Sequence, residues 1–177
     1  MASYVVEAKS RNAMRAYANL LREKFKLKDV LYFPIVELLD SFAEIFPDFS
    51  YEIVKDNELP KDTHADTEIR TGHVRIKESV YEGACDGNGR DRMTIAHELG
   101  HYFTLCRCGF RLSRNFGDRP IRTYNDPEWQ AKCFAGELMI PYHLTKDMNP
   151  ARISKVCGVS FKAAIYQSKK YREKDGG

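Results

Sequence analysis

The sequence has 177 residues, of which 43% are hydrophobic and 12% aromatic. A chain of this length can bury one sizeable core but is short for two, so we expect a single domain over residues 1–177. We divide it into N-terminal helices (1–47), a central core (48–145) and a C-terminal helical segment (146–177). The net charge of +3 is too small to indicate nucleic-acid or membrane binding through the overall charge of the protein.

The first residues do not resemble a secretory signal, because they lead into a polar helical pattern with no basic head, apolar stretch or cleavage site. No apolar run approaches the roughly 18 residues needed to cross a bilayer. The sequence therefore predicts a cytoplasmic protein, in which thiols stay reduced. The odd number and irregular spacing of the cysteines do not indicate a disulfide framework: Cys85, Cys106, Cys108, Cys133 and Cys157.

Apolar spacing predicts two N-terminal helices and a strand. Residues 11–25 carry one apolar stripe, and a second helix is expected to begin at Pro34, which suits a first helical turn, and to end before Pro47. Phe49, Tyr51 and Ile53 then alternate with polar residues, as in a half-buried strand. We interpret the helices as scaffold.

The next segment predicts a hairpin between two loops. Residues 56–66 are polar and contain a proline, so they are expected to form a loop. Residues 67–70 and 73–77 flank Thr71-Gly72, a plausible hairpin turn. Three glycines between residues 83 and 89 predict a second loop, which leads into a helix over residues 90–103.

That helix contains His97-Glu98-Leu99-Gly100-His101. Two histidines at positions i and i+4 share one helical face, so both imidazoles can reach a single ion. A carboxylate beside the first ligand is placed to take a proton from a water molecule at that ion. The sequence therefore predicts a metal site at His97 and His101 with Glu98 as general base. The plain alternative is two histidines on a helix surface beside a solvated Glu98.

A catalytic zinc site needs a third protein ligand. The acidic candidates after His101 are Asp118, Asp126, Glu128 and Glu137. Asp126 precedes Pro127, which indicates an N-cap followed by proline at the first helical position.

Helical phase separates the two glutamates. Glu128 falls on the side of Ala131 and Ala135, whereas Glu137 lies nine residues further, about 180° away at 100° per residue. We therefore predict that Glu128 faces the core and Glu137 faces water. A core-facing acid is costly unless it is paired or bound to metal, which favours Glu128 as the third ligand over a role in helix capping.

Gly100 lies inside the metal-site helix, where glycine costs about 1 kcal/mol relative to alanine. That cost is expected where another element packs closely beside the site.

These residues resemble the ImmA/IrrE metallopeptidases of bacteria and their mobile elements. The resemblance extends over roughly residues 49–171 and is carried by four segments: Tyr81-Glu82-Gly83-Ala84, residues 90–101, residues 128–141, and Val156-Cys157-Gly158-Val159-Ser160 followed by Ala163-Ala164. It implies an α+β fold of the zincin type, with helices around a small antiparallel sheet, and makes residues 48–145 the metallopeptidase core.

The resemblance also implies one zinc ion per chain, bound by His97, His101 and Glu128. It further implies the substrate class: members of the family cleave or inactivate helix-turn-helix transcriptional repressors in response to DNA damage or to signals that control a mobile element. The chain departs from the family pattern at Lys132, where asparagine is usual, at Cys133, and in the insert over residues 106–125. These differences concern specificity more than chemistry.

For the mechanism we predict that a peptide lies extended along the hairpin edge at His73–Lys77 and presents its carbonyl to the metal. Glu98 then acts as base and passes the proton to the leaving amine. Tyr102, Tyr124 and His143 are open candidates for stabilising the oxyanion.

Two further readings stay open. Cys106 and Cys108 could bind a second metal or sense oxidation, although a reduced, partly buried thiol explains each. Residues 151–171 could form a helix, a turn through Gly158 and a second, lysine-rich helix, similar to a DNA-reading helix-turn-helix. The chain would then be a regulatory DNA- or protein-binding module with a non-catalytic metal site, or a partner protein that acts by binding alone. Direct nucleic-acid binding is the less expected of these outcomes.

Overall fold

The computed structural model describes residues 3–107, 113–115 and 122–175. It begins with a short strand, β1 (Ser3–Val5), and the helix α1 (Arg11–Lys24). The Ser10 side chain caps α1 by accepting a hydrogen bond from the amide of Ala13 at 3.2 Å. Met14, Ala18 and Leu21 are buried along one face, as the apolar spacing predicts.

The second helix, α2 (Leu38–Ile45), begins later than predicted. The amide of Ile35 bonds to the carbonyl of Phe33 at 2.8 Å, a tighter turn than a helix allows. Both side chains are fully buried at this turn, and the regular helix begins three residues after it.

The central sheet has three strands: β2 (Ser50–Val54), β3 (Ala65–Glu68) and β4 (His73–Lys77). β3 and β4 form the predicted antiparallel hairpin, with Glu68 opposite His73. β2 pairs with β4 in parallel, and the strand order is β2-β4-β3. The prediction of an antiparallel sheet is therefore wrong for one of the two pairs. The loop over residues 55–64 carries the chain across the sheet, so that β4 lies in the centre.

Two local predictions in this region are also corrected. Ile53 is 37% exposed while its neighbour Val54 is buried, so the expected alternation does not hold along the whole of β2. Gly83 does not belong to a loop, because the helix α3 (Glu78–Cys85) follows β4 directly and leaves only residues 86–88 outside helices.

The metal-motif helix, α4, extends over Gly89–His101, and Asn88 caps its first amides. A π-helix over Tyr102–Arg107 continues it. A short strand, β5 (Ser113–Asn115), pairs with β1, and a 3-10 turn at Thr123–Asn125 precedes α5 (Pro127–Met139). Asp126 caps α5 by accepting from the amide of Glu128 at 2.9 Å, as predicted.

Three helices complete the described chain: α6 (Tyr142–Thr145), α7 (Pro150–Cys157) and α8 (Phe161–Asp175). Gly158 ends α7 with a left-handed φ of 62°, and Ser160 accepts from the amide of Ala163 at the start of α8. The predicted pair of helices is therefore present. Among the described residues, no helix combines the length and the apolar character needed to cross a membrane.

Candidate metal centre

The centre lies where α4 and α5 cross closely. α4 carries His97 and His101 one turn apart, and Glu128 stands in the first turn of α5. A Cβ atom on Gly100 would lie 2.6 Å from the carbonyl oxygen of Ala131, so only glycine permits this separation of the two helices. The close approach that the glycine predicts is confirmed.

The three side chains converge on one point. The Nε2 atoms of His97 and His101 are 3.0 Å apart, and they lie 3.3 and 3.2 Å from the two carboxylate oxygens of Glu128. A tetrahedral zinc ion with ligand bonds of about 2.0–2.1 Å sets its ligand atoms roughly 3.3 Å apart. The donor atoms therefore fit one such ion in number, chemistry and spacing. Among the described residues, this is the one group of three acidic, histidine or cysteine side chains whose donor atoms lie within 4.8 Å of one another.

The electrostatics of Glu128 are those of a carboxylate held by two imidazoles. Hydrogen bonds from His101 and His97 hold the pKa of Glu128 far below its usual range, and they outweigh the opposite effect of partial burial. Glu128 is therefore ionised, the form that binds a metal.

The orientation predicted for the two glutamates of α5 is wrong. The Glu128 side chain is 57% exposed and faces an open groove, whereas that of Glu137 is fully buried. The apolar stripe does not show which side of α5 faces water, because the helix is buried on nearly every side from Gln130 to Met139. Glu128 stays the proposed ligand because of its two imidazole neighbours and not because it is buried.

Glu137 has a structural environment of its own. Arg11 and Arg15 of α1 donate to its carboxylate at 3.0 and 2.7 Å, and Gln167 of α8 donates at 3.0 Å. These contacts join α1, α5 and α8. Glu137 is therefore buried as the acidic partner of an ion pair between helices.

Glu98 is 7% exposed and lies beside β3. The hydroxyl of Thr67 is 2.7 Å from Glu98 Oε2 and 3.2 Å from the Glu98 carbonyl oxygen. It can donate only one hydrogen bond, and the carboxylate is the nearer acceptor. Oε2 is thus held by a hydrogen bond, and Oε1 has no donor among the described residues. Sequence reasoning missed Thr67, because no spacing relates a residue of β3 to one of α4.

An open groove of about 930 Å³ runs past the three donor groups. It is lined by Ala65, Asp66 and Thr67 of β3, by Trp129 and Lys132 of α5, and by residues from the N-terminal part of α8. The groove is open to the surface along three of the four residues of β3, so an extended chain has access to it. The geometry therefore combines a group of three possible metal ligands, a buried carboxylate and an open groove.

The candidates for an oxyanion donor are placed differently. Tyr102 is fully buried and its hydroxyl donates to Asp48 at 2.9 Å, so it does not reach the groove. His143 lies 3.4 Å from Asp29 and does not line the groove. Tyr124 is 53% exposed and packs edge-on against Trp129, which does line it. Of the three, only Tyr124 stays near the site.

The thiol predictions are tested only in part. Cys106 donates to the carbonyl of Ile69 at 3.1 Å, and burial raises its pKa to about 11, as in an inert partly buried thiol. Cys108 and Asp118 lie outside the described residues.

Comparison with known proteins agrees with this geometry. A Mycobacterium tuberculosis transcriptional regulator of known structure is similar in fold, with a TM-score of 0.55 and 13% sequence identity. The match covers 88% of this chain and 46% of the regulator, so the chain spans less than half the length of that protein. No curated protein matches the sequence. The model of the Peptidase_M78 family, the IrrE N-terminal-like domain, matches residues 53–169. The matched residues include the two histidines of α4, the start of α5 and most of α8. The chain therefore belongs to this family.

Proposed function

We propose that the chain is a zinc-dependent endopeptidase whose ion is held by His97, His101 and Glu128. The observation that carries the proposal is the convergence of two imidazole nitrogens and one ionised carboxylate beside an open groove. Two imidazoles and a carboxylate are a donor set of catalytic zinc, which keeps its fourth position for water or substrate. A structural zinc site would instead be closed by four protein ligands.

The side chains around the site divide the work of peptide hydrolysis. A zinc ion held there supplies Lewis acidity, which polarises a peptide carbonyl and makes water a stronger acid. Glu98 accepts a proton from the attacking water on its free Oε1 and delivers it to the leaving amine. Thr67 positions this carboxylate through the hydrogen bond to Oε2. Catalysis therefore needs both the three metal ligands and a base that is oriented separately by Thr67.

The substrate strand is proposed to pair with β3. The sequence-based choice of His73–Lys77 is wrong, because β4 is the central strand and both of its edges are taken by β2 and β3. β3 is an edge strand among the described residues and lines the groove. An extended peptide that adds to the free edge of β3 would form main-chain hydrogen bonds with that strand and would pass the proposed metal centre.

The substrate class is proposed to be a helix-turn-helix transcriptional repressor. Two findings support it: membership of the family with IrrE N-terminal-like domains, and the likeness in fold to a transcriptional regulator. The proposed setting is the control of transcription in the cytoplasm, including that of mobile genetic elements.

The proposal is tested by incubating the purified protein with the repressors encoded beside its gene and identifying fragments by mass spectrometry. Wild type is expected to cut one repressor at a single bond. Glu98→Gln is expected to bind metal normally and to lose at least about 100-fold in rate, the usual scale of general base catalysis.

Glu82→Gln is the matched control, since it makes the same change on an exposed residue of α3. It is expected to cut at the wild-type rate. Cleavage by Glu98→Gln at the rate of wild type would refute the proposed mechanism.

A further inference from the structure

The outward side of α8 carries an unusual set of exposed apolar residues. Phe161, Ile165 and Tyr166 are 55%, 47% and 46% exposed. At 100° per residue, these three and the lysines at positions 162 and 169 fall within an arc of about 140°. We call this set, Phe161, Lys162, Ile165, Tyr166 and Lys169, the α8 face.

The buried side of α8, opposite the α8 face, makes the hydrogen bonds that hold the helix in place. Ala164, Gln167 and Tyr171 are buried on this side, where Gln167 and Tyr171 bond to Glu137. Elsewhere in the described part of the chain, large exposed apolar side chains occur mostly as single residues on separate elements. Three of them in the first six residues of one helix form a patch, which marks an interaction site rather than ordinary surface.

This patch is continuous with the groove of the metal centre. Lys162 and Tyr166 belong to the α8 face and also line the groove. A protein chain that lies in the groove therefore reaches the α8 face without leaving the surface of the molecule.

The charge of the patch indicates the chemistry of its partner. Lys162 and Lys169 of α8, and Lys132 on the groove wall of α5, form no ion pair with any described carboxylate. The nearest paired charges on α8, Lys170 and Glu173, bond to each other at 2.7 Å. Apolar side chains among unpaired lysines are complementary to a segment that combines apolar and acidic residues.

The start of α8 is fixed to the metal-site helix. Arg92 of α4 is buried and donates from Nε to the carbonyl of Gly158 at 2.9 Å. A Cβ atom on Gly89, the first residue of α4, would overlap the backbone of Val159. The α8 face therefore keeps a fixed position relative to His97 and His101.

The same contacts argue against DNA as the partner. In a DNA-reading helix-turn-helix, the N-terminal residues of the second helix enter the major groove. Here the turn before α8 is packed against α4, and the exposed residues at the start of α8 are largely apolar. Phosphate binding would need a surface dominated by cations.

We infer that the α8 face is a docking surface for the protein substrate and takes a segment with acidic and apolar side chains, separate from the segment cleaved beside β3. This inference rests on the proposed peptidase function. It accounts for selection of one protein by a groove that is otherwise open.

The test uses the Glu98→Gln variant, so that binding is measured without cleavage of the peptide. A displayed library of random peptides is panned on this protein, and the enriched peptide is synthesised with a fluorophore for anisotropy. We expect the enriched peptides to combine acidic and apolar residues. Phe161→Ser with Ile165→Ser, and separately Lys162→Glu with Lys169→Glu, should each weaken binding at least about tenfold.

Leu20→Ser is the matched control, because Leu20 is an exposed apolar residue of α1 outside the groove and should not change binding. Enriched peptides without acidic residues, or binding that both α8 double variants leave unchanged, would overturn the inference. Retardation of duplex DNA at physiological salt that the lysine variants abolish would also overturn it, in favour of a DNA surface. Failure of the proposed function is a separate result: wild-type protein with bound metal that cuts no repressor.

Discussion

The two ends of α5 carry the same side chain in opposite surroundings. At the first turn, Glu128 is exposed to the groove and meets two imidazoles. Near the last turn, Glu137 is buried and meets two guanidinium groups and an amide. In the proposed centre the first set of partners shares a cation, whereas the second set already provides two. The identity of the neighbours, more than burial, therefore separates the proposed metal ligand from a structural ion pair.

The largest effect is expected at the buried end. Glu137→Ala leaves Arg11 and Arg15 without their carboxylate, and breaking such a buried pair costs about 3–5 kcal/mol of unfolding free energy. Urea unfolding of metal-free protein measures the loss. Glu128→Ala, the matched change at the exposed end, should stay within about 1 kcal/mol of wild type. Equal losses in the two variants would contradict the distinction between the ends.

The contact between α4 and α5 is expected to be next in size. Gly100→Ala gains about 1 kcal/mol of helix propensity but forces the new methyl group against the backbone of Ala131. We expect a net destabilisation of about 1–3 kcal/mol, the usual cost of overpacking, together with weaker metal binding. Thermal unfolding and metal titration measure the two effects. Glu82→Ala, on an exposed position of α3 outside the groove, is the control and should bind metal normally.

The positioning of the base predicts a smaller, purely kinetic effect. Thr67→Val removes the hydroxyl that bonds to Glu98, and a hydrogen bond to a charged group is worth about 1.5–3 kcal/mol. We expect kcat to fall about tenfold or more, with unchanged KM and metal content. Thr67→Ser keeps the hydroxyl and should restore most of the rate. A fall in metal content instead would show that Thr67 supports the ligands.

The smallest effect is in the reactivity of Cys133, which lies on α5 between the two glutamates. The thiol is 2% exposed, and burial raises its pKa to about 12, so alkylation at neutral pH should be slow. Glu137→Ala should speed alkylation several-fold by loosening the buried end, and Glu128→Ala should not. Mass spectrometry of iodoacetamide-treated protein follows the rate. Equal rates in the two variants would show that the ends are not independent.

The sequence predicts those parts of the fold that depend on local chemistry. The cap at Asp126, the hairpin of β3 and β4, and the helix with His97 and His101 follow from near neighbours in the chain. It also predicts that Gly100 lies at a close approach of two elements. These features need no knowledge of the rest of the molecule.

The sequence-based predictions are wrong or incomplete where the local structure depends on contacts between distant parts of the chain. The central place of β4 depends on the route of the loop over residues 55–64, which has no local signal. The side of α5 that faces water depends on α1 and α8, which cover the end with Glu137. The contact of Thr67 with Glu98 joins residues 31 positions apart in different elements. Periodicity describes a helix with one buried face, and α5 is not such a helix.

The metal content of the purified protein, measured by inductively coupled plasma mass spectrometry, tests the proposed centre most directly. We expect one zinc ion per chain in wild type and in Glu98→Gln, and none in His97→Ala or Glu128→Ala. A full complement of metal in His97→Ala or Glu128→Ala would contradict the proposed centre, because the ion would then be held by other residues.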